Sequence, residues 1–192
     1  SPAFVDTRKF SVSLNAAMAG CANCRARLIC YCEATAQRGV MTDLANKTVL
    51  ITGAGGGFGR NMVRQFRAAG AKLILTDVSD SALQGAIEDA GDGLVASVAA
   101  DLATEAGCET VVENCAPDGG APDILVNNAG IGAAGRLDKV PQQQWETLMR
   151  LNLLAPMRLC NAFIPAMIER GSGHIVNISS LAGWVGSHGL SA

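Results

Sequence analysis

Apolar and polar positions alternate between two periods along most of this chain. Thr48-Val-Leu-Ile-Thr52 is a short β-branched and apolar run that stops at Gly53, the pattern of a strand buried on both faces. Phe58, Met62, Val63 and Phe66 then recur at helical spacing from Gly57 to Ala69, and Gly70 closes the segment. Lys72–Thr76 predicts a second strand ending at Asp77, and Ser79 or Asp80 can cap a helix running to about Ala90. Leu94–Ala99 predicts a third strand, and Thr104 caps a helix to about Cys115. Asp123–Asn127 predicts a fourth strand, and Gln142–Arg170 a long helix with kinks at Pro156 and Pro165. His174–Ser179 predicts a fifth. Strands separated by helices of this length imply βαβ units, hence an α/β fold whose parallel sheet carries helices on both faces.

Residues 1–40 read differently. They show no sustained period, and they carry net charge +3 against −5 for residues 41–192. Four of the seven cysteines, Cys21, Cys24, Cys30 and Cys32, fall in this stretch. Three readings stand: a targeting segment, because the stretch bears arginines and few acids; a zinc site, because thiolates at such spacing can share an ion; or an irregular extension with no role in the fold. The last is preferred, which starts the domain near Met41 and gives it residues 41–192.

Charge and composition exclude some functions. The acidic main body argues against a nucleic-acid surface. The longest apolar candidate, Met149–Ile168, is interrupted by Arg150, Asn152, Arg158 and Asn161, so no membrane span is expected. Cys108, Cys115 and Cys160 fit reduced, buried thiols of a cytoplasmic protein.

The chemistry begins at Thr52-Gly-Ala-Gly-Gly-Gly-Phe-Gly59, between the first strand and the first helix. A pyrophosphate is best held by backbone N–H groups at a helix N-terminus with no Cβ in the way. Asp77, at the end of the second strand, can accept both ribose hydroxyls of an adenosine and repel a 2′-phosphate. No Arg or Lys stands at Ala54, Gly55, Gly56 or Val78, so NAD is favoured over NADP as cofactor.

These residues resemble the short-chain dehydrogenase/reductase family over residues 44–192. The motifs occur in order: Thr52–Gly59, Asp101-Leu102, Asn127-Asn-Ala-Gly130, Trp145 and Asn152 on the long helix, then Ile175-Val-Asn-Ile-Ser-Ser-Leu-Ala-Gly183. The resemblance implies a Rossmann-type doubly wound parallel sheet, truncated after the fifth strand. It also implies a cofactor site of Gly53, Gly57, Phe58, Gly59, Asp77, Asp101, Leu102, Asn128, Ala129 and Gly130. Asp101 would bond the adenine amino group, with Leu102 beside the ring. Asn128, Ala129 and Gly130 would floor the ribose site and hold the central strands together. Ser180, rather than Ser179, would hydrogen-bond the substrate oxygen, and Asn152 would hold a water of the proton relay. His188 and Trp184 are candidates for contact with substrate.

The implied activity is oxidoreduction: hydride moves between nicotinamide and a secondary alcohol or ketone while a tyrosine, tuned by a lysine, moves the proton. The implied partners are that small-molecule substrate and a second copy of the parent chain. The family's Tyr-x-x-x-Lys would fall one position beyond Ala192. The one tyrosine, Tyr31, is followed four positions on by Thr35, and no lysine follows Lys139. The chain as it stands is therefore expected to be inactive, with a nucleotide-binding module lacking catalysis as the alternative.

Overall fold

The computed structural model describes residues 44–115, 120–136 and 138–180. The expectations for residues 1–40, including the four clustered cysteines, and for Trp184 and His188 lie outside them. In chain order the elements are β1 (Thr48–Thr52), α1 (Gly57–Ala68), β2 (Lys72–Asp77), α2 (Asp80–Ala90), β3 (Leu94–Ala99), α3 (Glu105–Cys115), β4 (Ile124–Asn127), α4 (Gln142–Met149), α5 (Ala155–Arg170) and β5 (His174–Asn177). The strands form one parallel sheet in the order β3-β2-β1-β4-β5. β1 is central: Leu50 pairs with Ile74 on one side and Leu125 on the other.

Alternation along each buried strand sends successive side chains to opposite helix layers. Val49, Ile51, Leu73, Leu75, Ile124 and Val126 meet Val63 of α1 and Leu83 of α2 in one core. Leu50, Ile74 and Leu125 meet Val111 of α3 and Leu159, Phe163 and Met167 of α5 in the other. A continuous apolar run is therefore needed in each central strand, since neither face meets water. The α1 helix is also tied to α2 by Arg60 and Arg64, both on Asp89, and to the turn that follows α2 by Arg67 on Asp92.

Three boundaries differ from the sequence pattern. Asp123 lies before β4, not in it, because its carboxylate accepts the Thr48 N–H at 2.9 Å and the Lys47 ammonium at 3.1 Å. Ordered strand pairing of β5 ends at Asn177, although the Ile178 N–H still reaches the Asn127 carbonyl at 2.9 Å. The long helix is broken by a π turn at Arg150–Leu154, one turn ahead of Pro156, where the Ala155 N–H bonds Arg150 instead of the residue four back. Pro156 has no N–H for the Asn152 carbonyl, so the regular ladder cannot pass it unchanged. Pro165 sits inside α5. Both it and Asn161 are exposed, so water can meet the carbonyl it frees.

The expectation of no membrane-spanning segment needs correction. Gln142–Arg170, 29 residues with a window of mean hydropathy 1.3, is long and apolar enough to cross a bilayer by length and composition. Arg150, Asn152, Arg158 and Asn161 interrupt every long apolar run in it but leave the average high. Here Ala155, Leu159, Phe163 and Met167, four residues apart, form the stripe that packs on the sheet.

Candidate nucleotide site

The sequence runs outward from β1 to β2 and β3, then returns to the other side of β1 for β4 and β5. Beyond the carboxyl ends of β1 and β4, the diverging connections leave a crevice, the usual ligand position in open α/β sheets. A cleft of about 920 Å³ lies there. All ten residues expected to bind cofactor line it: Gly53, Gly57, Phe58, Gly59, Asp77, Asp101, Leu102, Asn128, Ala129 and Gly130.

The glycine loop is shaped by close approaches. Gly53 has φ +63°, and a Cβ there would stand 2.8 Å from the Cα of Ala129. A Cβ on Gly59 would lie 2.1 Å from the Gly53 carbonyl oxygen. Gly57 is different: among the described residues a Cβ would meet nothing within 4 Å, so its bare backbone faces the cleft. Gly56 caps α1 without a side-chain hydrogen bond, and no acidic residue stands in the first turn. That helix end suits an anion, as a pyrophosphate would require.

Thr52 joins the loop after β1 to the loop after β4. Its hydroxyl donates to the Val126 carbonyl at 3.3 Å and accepts the N–H groups of Asn128 at 3.0 Å and Ala129 at 2.9 Å. Asn128 returns two bonds, from Nδ2 to the carbonyls of Thr52 and Gly53. Asp77 sits across the cleft. One carboxylate oxygen accepts the Gly55 N–H at 2.9 Å, and the other accepts the Val78 N–H at 2.8 Å. Asp101 bonds the Ala103 N–H at 2.9 Å, and Leu102 is buried beside it.

The family model of the short chain dehydrogenases matches residues 47–192. The chain belongs to that family. Among curated relatives, the probable oxidoreductase EphD of Mycobacterium tuberculosis (strain ATCC 25618 / H37Rv) is 35% identical over 147 residues, 75% of this chain and 25% of that protein. The CLA biosynthesis dehydrogenase/reductase of Lactiplantibacillus plantarum is 34% identical over 153 residues, 78% of this chain and 54% of that one. The chain thus spans between a quarter and about half of these two relatives. A solved metagenomic short-chain oxidoreductase in complex with NADP superposes with TM-score 0.71 at 35% identity, covering 78% of this chain and 69% of that one.

In this short-chain dehydrogenase, the two residues expected to carry chemistry lie at the margin of the cleft. Ser180 is exposed and follows Ser179, which lines the cleft. Asn152, in the π turn, spends its carboxamide on Ile131: Nδ2 donates to the carbonyl at 2.8 Å and Oδ1 accepts the N–H at 3.0 Å. The side chain thereby fastens the loop after β4 beside Gly130.

Sequence reasoning missed Thr147 and Leu151, which line the cleft from α4 and the π turn; their four-residue spacing on one helix face was the available signal. It also left Asn127 without a role. Its Nδ2 donates to Oδ1 of Asn177 at 2.8 Å, joining β4 to β5, and reaches Cys160 Sγ at 3.7 Å. Burial pushes the thiols of Cys108, Cys115 and Cys160 up, that of Cys115 to about 12, so they act as packing groups.

Proposed function

We propose that this dehydrogenase binds NAD in preference to NADP, and that the protein it belongs to interconverts a secondary alcohol and a ketone. The observation that carries the preference is Asp77, whose carboxylate lines the cleft at the end of β2 with Gly55 and Val78 beside it. A carboxylate there favours a free ribose diol and opposes a 2′-phosphate, and neither neighbour supplies a cation. The NADP in the related metagenomic enzyme belongs to that protein. Bare Gly57 and the N-terminus of α1 would hold the pyrophosphate, Leu102 and Asp101 the adenine, and Gly130 and Ile131 the far end.

When bound, the cofactor supplies the hydride. This chain's part is to orient it and to exclude water from the apolar side of the cleft. Residues 1–192 contain no Tyr-x-x-x-Lys, so we propose that they bind nucleotide without turning over alcohol by themselves. A serine hydroxyl is too weak an acid to replace the tyrosine near neutral pH.

The partner we propose is a second copy of the chain. Trp145, Met149, Leu153 and Met157 are exposed at four-residue intervals, and Ile164 and Ile168 extend that apolar surface along α5. Sedimentation would show a dimer that Met157→Glu dissociates; a monomer at micromolar concentration would remove this part of the proposal.

The cofactor reading is tested by titrating NADH and NADPH against the chain by calorimetry. NADH should bind more tightly, and Asp77→Ala with Val78→Arg should reverse the order. Equal or tighter binding of NADPH to the unmutated chain would overturn it.

A further inference from the structure

Asp77 is doubly bonded within its own chain before any ligand arrives, and this bears on more than the ribose. The Gly55 N–H donates to its Oδ2 at 2.9 Å, and the Val78 N–H donates to its Oδ1 at 2.8 Å. The bond to Gly55 ties β2 to the segment that leads into α1. One residue earlier, the Ala54 N–H donates to the Thr76 carbonyl at 3.1 Å. On the other side Gly55 is pressed against the first turn of α2, where a Cβ would lie 2.0 Å from the Ala82 carbonyl oxygen. That turn is itself fixed by the Ser79 hydroxyl, which accepts the Ala82 N–H at 3.2 Å. Gly55 is thus held between a carboxylate and a helix.

The three consecutive glycines at 55–57 have the most backbone freedom to lose. Gly56 and Gly57 follow with a backbone bond to Gly53 and an open face on the cleft. Whatever fixes Gly55 therefore fixes the direction in which the N–H groups at the start of α1 point. Each carboxylate oxygen has a further lone pair, so bonding the loop leaves Asp77 able to accept ribose hydroxyls as well.

We infer that Asp77 is a positioning residue for the pyrophosphate: its carboxylate latches the glycine loop at Gly55 in the shape that presents the N-terminus of α1 to the phosphates. This rests on the nucleotide reading of the cleft and extends the role of Asp77 from choosing the sugar to building the phosphate site.

The test separates the two roles with the 192-residue chain, two variants and two probes. ADP carries pyrophosphate and the ribose diol; 2′,3′-dideoxy-ADP carries the pyrophosphate alone. Loss of one charge-assisted backbone bond should weaken dideoxy-ADP about tenfold in Asp77→Ala, and ADP by more, since the diol contacts go too. Without ligand, amide hydrogen exchange at Gly55 should speed up about tenfold in Asp77→Ala, while Ala54, bonded to Thr76, stays unchanged. Asp77→Asn, nearly isosteric, keeps one oxygen that can accept the Gly55 N–H while giving up the Val78 bond; it should restore Gly55 protection and dideoxy-ADP affinity while ADP binds more weakly than to the unmutated chain, and it carries the test if the alanine variant does not fold. Unchanged dideoxy-ADP affinity and unchanged Gly55 exchange, with ADP weakened, would confine Asp77 to the ribose and overturn the latch. If neither probe binds the unmutated chain, the nucleotide reading fails, and Gly55 exchange alone decides whether the latch exists.

Discussion

The carboxamide of Asn152 holds both main-chain polar groups of Ile131, donating to the carbonyl at 2.8 Å and accepting the N–H at 3.0 Å. Ile131 lines the cleft, so this pair connects the π turn to the cleft wall. Asn152→Ala should cost about 1 kcal/mol, two modest bonds partly replaced by water, and lower the melting temperature by ~2–4 °C. Amide exchange at Ile131 should speed up. Unaltered exchange there would show that the loop is held by other contacts.

Gly57 and Gly59 should respond oppositely to alanine. A Cβ on Gly59 would stand 2.1 Å from the Gly53 carbonyl, with backbone that cannot move aside, so Gly59→Ala should unfold the loop and lower the melting temperature sharply. Gly57→Ala meets open space and should leave stability unchanged or slightly raised. Its methyl would occupy the ligand's side of the loop and weaken ADP binding in calorimetry. Tight ADP binding by Gly57→Ala would place the pyrophosphate elsewhere.

Thr52 is buried, with three bonds on one hydroxyl. Thr52→Val keeps the shape and strands the N–H groups of Asn128 and Ala129, at a cost of about 2–3 kcal/mol. Thr52→Ser keeps the hydroxyl and should recover most of it. Urea unfolding of the three proteins decides, and equal midpoints for Val and Ser would show the hydroxyl to be dispensable.

Asp123 predicts an acid-sensitive sheet. Burial pushes its carboxyl up, but the Thr48 N–H, the Lys47 ammonium and Arg170 outweigh this and hold it below the usual carboxylate range. A lowered folded-state value means its stabilisation is complete above the ordinary carboxylate pKa, about 4, and is lost as pH falls through the folded value. Asp123→Asn should therefore be less stable than the unmutated chain at pH 7 and should lose that deficit once the pH has fallen through the lowered folded-state value. Parallel stability curves for the two proteins across this range would refute the assignment.

Local pattern determined most of the architecture. Short continuous apolar runs rich in β-branched residues and bounded by glycine or aspartate fit strands covered on both faces, and the helices between them, at 3.6 spacing, favour parallel neighbours. Ser79 and Thr104 mark helix starts because their hydroxyls can meet the free N–H groups there; in the structure they accept from Ala82 and Gly107. Part of the cleft lining was legible too, since the glycine loop of Gly53, Gly57 and Gly59 and the carboxylate of Asp77 at the next strand end lie on a short stretch of chain. The π turn was only partly so: Pro156 announces an interruption, but where the ladder yields depends on the neighbours of the helix.

What tertiary structure decided is how these pieces hold one another. Thr52 meets Asn128 across 76 residues of sequence, Asn127 meets Asn177 across 50, and Asp77 meets Gly55 across 22. Such bonds depend on which strands become neighbours, and the residues themselves, a threonine, an asparagine and an aspartate, would suit many other places. Propensity and periodicity report a residue's preference for its own segment. Only when β1 lies between β2 and β4 do their loops come within hydrogen-bonding distance, and the cleft takes its shape from that adjacency.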